Sequence, residues 1–389
     1  MALTKAHSLY MARPEVTFST DLSANGSGYA FIHAGEIAQT PEYGEPIVRN
    51  QQDSSIVPQK VVIGAQGGQI TFKTEARGVT TANAADDGTT ASHGEMGLSL
   101  RATMGDVDLD VGTTFAAGWT TTTGDVASAA GLRVGSLIYR IQGGSEPAPG
   151  KAEVRRVSNI ATNTLTVTPA WTTAPSNTDV CYAMACYQAA SSGHQTEDIV
   201  IKGQDSSEHL YTGCMGDWTL SPLAARAVGE FAWTYQADDV DYTSAKGSLP
   251  AETDSYPDPV VVRCAPFYIG STATLTSEVG LSLGNDIQPK AATSGCQGRA
   301  GWVVVGQDIT WTSKVYFAEG NITQYVGGTT QELLFYADDG IGNVVAISIP
   351  AAQIVQSPTY EDESGQVVQT LTWKATRHAT LPPLTVAIG

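Results

Sequence analysis

The chain has 389 residues, of which 15% are charged and 42% hydrophobic, and its formal net charge is −18. A field of that sign opposes ordinary nucleic-acid binding, and no cluster of Lys and Arg offers a phosphate-binding patch. The hydrophobic content excludes a disordered chain, and no window approaches the roughly 18–20 apolar residues of a membrane-spanning helix.

The length suits two to three domains. Met1 to Arg13 lacks the apolar stretch of a signal peptide. The five cysteines, Cys181, Cys186, Cys214, Cys264 and Cys296, are odd in number and match no disulfide framework. Synthesis in a reducing cytoplasm is the simple expectation.

With 40 Gly and many Thr, Ser and Val, the chain favours short strands and turns. Ile70, Phe72 and Thr74 alternate with polar residues and predict a strand with one buried face. Ser92 and Glu95 have capping-box spacing, and Met96, Leu100 and Met104 then share one helical face up to Gly105. Gly94 and Gly97 weaken that helix.

Residues 115–182 hold four further strand candidates. These are Leu132–Tyr139, Ala152–Val157, Thr164–Thr168 and Val180–Tyr182, with a loop at Glu146–Gly150. They predict a small inserted β-domain. Phe231, Trp233 and Tyr235 alternate again, as do Leu371, Trp373 and Ala375.

A weak internal repeat links the two ends of the chain. Val61–Gly64 followed by Gln69–Thr74 resembles Val303–Gly306 followed by Asp308–Ser313. Gly213–Leu220 and then Phe231–Tyr235 parallel Gly342–Ile349 and then Leu371–Ala375. The reading is a tandem duplication interrupted by the insert. The predicted fold class is mainly β: sandwich or barrel domains with one flanking helix, duplicated in tandem, plus the small inserted β-domain. The first domain is 1–114 with 183–245, the insert is 115–182, and the second domain is 246–389.

The chain carries no catalytic, cofactor-binding or metal-binding motif. His7, His33, His93, His194, His209 and His378 do not fall at metal-ligand spacing with each other or with cysteine. There is no Gly-x-Ser-x-Gly elbow and no phosphate-binding Gly-rich loop. Thr243–Lys246 lacks supporting motifs, and Asp106, Asp108 and Asp110 lack the Gly and distal Glu of a calcium loop. Glu361–Glu363 reads as a solvated turn. The seven tryptophans fall inside alternating strands, which favours core packing or subunit contact over a sugar-binding row.

Several stretches, taken in order, resemble the tail tube proteins of long-tailed, non-contractile bacteriophages. They are Ile199–Gly203, His209–Leu220 and Gly229–Tyr235, the last a Gly-Glu-aromatic-x-aromatic strand. Pro257–Val261, the Leu283-Gly284-Asn285 turn and Glu361–Gly365 before Leu371–Trp373 follow. The resemblance covers most of the chain outside the insert. It implies a virion subunit, made in the bacterial host cytoplasm, that forms rings stacked into the conduit for DNA ejection. It implies no catalysis and no cofactor. The partners implied are the chain itself, the tape measure protein, the tail terminator and distal tail proteins, and double-stranded DNA passing without specific binding.

If each chain holds two tube domains, three chains complete a ring; if the second half is unrelated, six are needed. Asn50–Gln59 and Asp286–Ala300 are the candidate inter-ring loops. The insert should decorate the outside, so deleting 115–182 is expected to leave assembly possible. The alternative reading is a β-rich carbohydrate- or receptor-binding tail protein.

Overall fold

A computed structural model describes residues 7–12, 29–42, 46–47, 62–63, 67–78, 94–108, 113–116, 118–141, 152–177, 179–203, 207–241, 249, 258–263, 265–292, 299–339 and 343–389. The fold is mainly β, with every named strand pair antiparallel. One layer is a continuous sheet whose strands follow from the pairings. In spatial order they are Ala34–Glu42, Gly67–Glu75, Glu230–Ala237, the second half of Glu208–Ala224, Thr276–Ser282, Thr310–Tyr316 and Gln366–Ala375. The end of Val344–Ile354 and the short Thr359–Glu363 complete it as an eighth position.

Two sheets form the opposing layer. The first orders Tyr29–Ile32, His7–Ala12, Glu197–Gly203, the first half of Glu208–Ala224, and Asp239–Asp241. The second orders Gly105–Asp108, Ala185–Ala189, Thr385–Ile388, the first half of Val344–Ile354, Thr330–Asp338, Phe267–Ile269 and Thr272–Thr274. The alternation of apolar and polar residues makes each strand bury one side only. One apolar core therefore runs between the layers beneath the whole long sheet, joining Phe72, Trp233 and Tyr235 to Trp311, Phe335 and Trp373.

The long sheet contains the same strand arrangement twice. Phe72 lies opposite Trp233, and Trp311 lies opposite Trp373. The indole N–H of Trp233 donates to Thr74 Oγ1 at 2.8 Å, and that of Trp373 donates to Ser313 Oγ at 3.3 Å. Within the alignment of Gln69–Thr74 with Asp308–Ser313, Phe72 thus matches Trp311 and Thr74 matches Ser313 in their cross-strand partners. The hairpins also match, with Ile199 opposite Tyr211 and Phe335 opposite Ile347.

One strand alignment needs correction. Sequence places Trp218 against Ile347, but Trp218 lies opposite Trp233 and Ile354 lies opposite Trp373, so Trp218 corresponds to Ile354. The cause is the corner at which each long strand crosses between layers. In the first set Gly213 (φ 62) makes it beside an irregularity in the ladder. In the second set Pro350, which has no N–H to donate, sits at another irregularity.

Among the described residues two helices flank the sandwich where one was expected. Gly94–Met104 buries Met96, Leu100 and Met104 completely. Its proposed cap, Ser92, lies outside the described residues. Glu319–Gly327 has no side-chain cap and only one short apolar set, Ile322, Tyr325 and Val326, too brief a pattern to mark a helix in the sequence. It is held by buried Asn321, whose Nδ2 donates to Gln369 Oε1 at 2.8 Å.

Residues 113–183 build a separate six-stranded sheet. Its order is Thr113–Thr114, Val180–Ala183, Leu137–Ile141, Ala152–Ala161, Thr164–Thr168 and Thr123–Asp125. A bridge between Phe115 and Val126 and the bond from Ala116 N to Asp125 O (2.8 Å) bring the edge strands together, curling the sheet into a small barrel. Phe115, Trp119, Leu165 and Trp171 fill it.

The barrel's other face packs on the second outer sheet. Leu137, Tyr139, Ile141 and Val154 meet Leu334, Tyr336, Val344 and Ala346. Arg156 Nε bonds Glu332 Oε1 at 2.7 Å, and Ala152 N donates to Asp338 Oδ2 at 3.0 Å. This contact changes the expected result of deleting 115–182. The deletion uncovers an apolar face and unpairs Glu332, so the shortened chain should aggregate. Replacing Leu334 and Tyr336 with Thr alongside the deletion should restore a soluble particle, read by size-exclusion chromatography.

Candidate functional site

The long sheet has one face in the core and, among the described residues, one open. Its side chains are the outward set of each alternating strand. In Gly67–Glu75 these are Gln69, Thr71, Lys73 and Glu75; in Glu230–Ala237 they are Glu230, Ala232, Thr234 and Gln236. Thr219, Gly280, Ser282, Thr310, Thr312 and Thr372 continue it across both strand sets. Small hydroxyl and amide side chains dominate it, with open hollows of about 300 Å³ beside Lys73 and Glu230 and about 280 Å³ beside Lys314 and Thr312.

The charges on this face follow one rule: each lysine is held by a carboxylate. Lys73 Nζ lies 2.6 Å from Glu36, Lys374 Nζ 2.7 Å from Asp308, and Lys314 Nζ 3.3 Å from Glu278 and 3.6 Å from Glu361. The hydrogen bond that the Lys73 ammonium donates to Glu36 holds it above its usual range, and the one Lys314 donates to Glu278 does the same there. Such exposed pairs add little stability. Their effect is to leave no lysine of this face unaccompanied among the described residues, while Glu230 and Asp217 add further negative charge on the same face. Burial pushes the Asp217 carboxyl up, against the N–H groups of Asn285, Trp218 and Gly284 that favour its charged form.

At one end of the face a two-stranded ribbon, Asn285–Ala291 with Arg299–Gln307, leaves the sheet and crosses the ends of the first strand set. Gly284 (φ 66) turns the chain there, with Asp308 O only 2.6 Å from where a Cβ would stand. Asn285 N donates to Asp217 Oδ1 at 3.0 Å, and its Nδ2 to Gly216 O at 3.1 Å. Further along the ribbon, Arg299 Nε meets Asp238 Oδ1 at 2.8 Å. Val303 and Val305 on the ribbon are 44% and 58% exposed. The corresponding ribbon of the first set is Pro46–Ile47 with Val62–Ile63. Asn50–Gln59 lies outside the described residues, as do 293–298 of the second loop.

The tryptophans are not a surface row. Trp119, Trp171, Trp218, Trp233, Trp311 and Trp373 are all buried, and Trp302 is half-buried beneath the Arg299 guanidinium at 4.9 Å. Cys181, Cys186 and Cys214 are buried. Of the acidic run, Asp106 is exposed on a strand, and Asp110 lies outside the described residues, as do Thr243–Lys246. No group of three or more His, Cys, Asp or Glu among the described residues could hold a metal ion. No helix among them is long and apolar enough to cross a membrane.

The sequence indicated Gly67–Glu75, Glu230–Ala237, Thr310–Tyr316 and Gln366–Ala375 of this face but not Ala34–Glu42 or Thr276–Ser282, and Glu361–Glu363, read as a solvated turn, lies on the exposed edge strand Thr359–Glu363. Its ion pairs left no sign, since Lys73 and Glu36 meet only through the pairing of two strands. No protein-family model matches the chain, and no curated protein matches its sequence.

Proposed function

We propose that this chain is a structural subunit that joins copies of itself into rings, which stack into the tail tube of a long-tailed bacteriophage. The observation that carries the reading is the single sheet made of two matching strand sets, with a polar open face whose lysines are each accompanied by carboxylates. Turned to a bore, that face repels the phosphates of passing DNA and offers no lysine free to grip them.

Three chains then supply six strand sets to a ring. The barrel of residues 113–183, docked on the outer layer opposite the open face, stands on the outside as an inserted domain. The ribbons, the second of which carries the exposed Val303 and Val305 at the sheet's end, serve the contact between rings, since an isolated two-stranded ribbon is marginal in water. Closing the sheet into a ring also removes its edges. The tape measure protein occupies the bore before DNA does, and terminator and distal tail proteins cap the two ends. The chain does no chemistry in this role and resides in the virion.

Negative-stain images of the purified protein test the reading. Hollow rings or tubes with a central bore are expected. A monomer that persists at about millimolar concentration, far above ordinary interface affinities, overturns it.

A further inference from the structure

The junction between the two strand sets shows how the edge of one receives the other. There Thr219 lies opposite Ser282, Leu220 opposite Leu281 and Leu223 opposite Val279. The correspondence of the two sets carries this ladder to the outer edges of the chain. On the receiving side, Thr219 is opposite Ala232, and the Val355 N–H donates to Thr372 O at 3.0 Å. Because Trp233 corresponds to Trp373, Ala232 corresponds to Thr372 and Thr219 to Val355. On the entering side, Ser282 is opposite Thr310 and Ala38 is opposite Thr71. Thr71 corresponds to Thr310, so Ala38 corresponds to Ser282.

Both outer edges stand open. Among the described residues, Ala34–Glu42 has ladder bonds only to Gly67–Glu75, and Thr359–Glu363 only to Gln366–Ala375. Ala38 and Val355 are both exposed. Exposed apolar groups collect beside the second edge. Phe317 and Tyr360, each 51% exposed, are in ring contact at 6.1 Å, and Val326 on the second helix is 77% exposed. The helix of the first set, by contrast, has Met96, Leu100 and Met104 fully covered. An edge flanked by apolar surface is a template for another chain.

We propose that residues 34–38, the first half of strand Ala34–Glu42, of one copy add antiparallel to residues 355–359 of a second copy, in the register that sets Ala38 opposite the second copy's Val355. The partner is therefore another molecule of this chain, joined by a repetition of its own internal junction. The proposal rests on the self-assembling reading above and adds which edges meet and how they align.

Paired cysteines test it, in the full chain carrying Cys264→Ser and Cys296→Ser. Directly opposed residues sit about 4.5–5.5 Å apart between Cα atoms, inside the disulfide range of about 4.4–6.8 Å. A pair displaced by two residues sits at roughly 7–8 Å. Under mild oxidation, Ala38→Cys with Val355→Cys should convert most of the assembled protein to covalent dimers and closed trimers on non-reducing gels. Thr40→Cys with Val355→Cys should cross-link at least about fivefold less, given that separation. Native mass measurement on the uncross-linked protein separates the outcomes. Oligomers that fail to cross-link at Ala38 and Val355, or that cross-link equally at Thr40, overturn this register and leave self-assembly standing. A protein that is monomeric throughout overturns both.

Discussion

Replacing Arg140 with Met should lower the unfolding free energy by about 3–5 kcal/mol near neutral pH, because the change strands a buried carboxylate. Arg140 is 1% exposed. Its Nε and Nη2 donate to Glu153 Oε2 at 2.9 and 2.7 Å, its Nη1 to Asp179 Oδ2 at 3.1 Å, and its Nη2 also to Thr173 O at 2.6 Å. The guanidinium stacks over Trp171, 5.0 Å from the ring centre, while Arg155 lies against the same ring at 5.2 Å. Met fills part of the space and supplies none of the donors. Glu153 would keep only Thr172 N at 3.3 Å and the more distant Arg155 at 3.7 Å.

The pH dependence of that loss distinguishes a stranded charge from lost packing. Burial alone pushes the Glu153 carboxyl up, but Thr172, Arg140 and Arg155 together hold it below its ordinary value. A lowered folded-state value contributes stability that is present above the unfolded-state value and is lost as pH falls through the folded one. Without Arg140 the burial effect dominates and the carboxyl takes up its proton at higher pH. The difference between variant and parent should therefore shrink between about pH 7.5 and about pH 4.5, because the variant's carboxyl takes up its proton across that window while the parent's, held below its ordinary value, keeps most of its contribution. Urea titrations at both values measure it. A difference that does not vary with pH would sink the ionic explanation and leave cavity formation in its place.

Trp311→Ala should cost a comparable ~3–5 kcal/mol through a cavity in the main core. Trp311 is fully buried, stacks on Phe267 with ring centres 5.6 Å apart, and meets Phe335 edge-on at 6.3 Å. It also faces Trp373 across the ladder. No neighbour is placed to collapse into the space, because the strands on both sides are fixed by their own pairings. The midpoint of denaturation should fall with an unchanged slope. A loss below about 1 kcal/mol would mean that the residue is not enclosed by the two layers.

Much of this core was readable in the residues alone. Alternation at Ile70, Phe72 and Thr74 named the buried side of a strand, and the match of Gln69–Thr74 with Asp308–Ser313 put Phe72 and Trp311 at one structural position. Identity was low there, but the requirement was physical: an aromatic facing a tryptophan, and a hydroxyl two residues on to accept its N–H.

Other features left no trace. The corner is made by Gly213 in one set and near Pro350 in the other, so two unlike residues do one job and the alignment of that strand slips. The second helix is short and mostly exposed, so hydrophobic periodicity could not find it. The ion pairs of the open face join strands that are distant in sequence, and the docking of the barrel depends on Arg156 meeting Glu332. Pairing partners so far apart carry no local signature.

The two long strands have a mechanical consequence. Glu208–Ala224 and Val344–Ile354 each belong to both layers, so a covalent backbone runs from the outer wall into the open face twice per chain. Shear between the layers cannot be relieved by sliding one sheet over the other, because each shared strand would have to break register in both. Compliance is confined to the corners at Gly213 and Pro350. An outward or inward breathing of the open face must therefore appear as a hinge at those two positions, and stiffening either one should stiffen the whole wall.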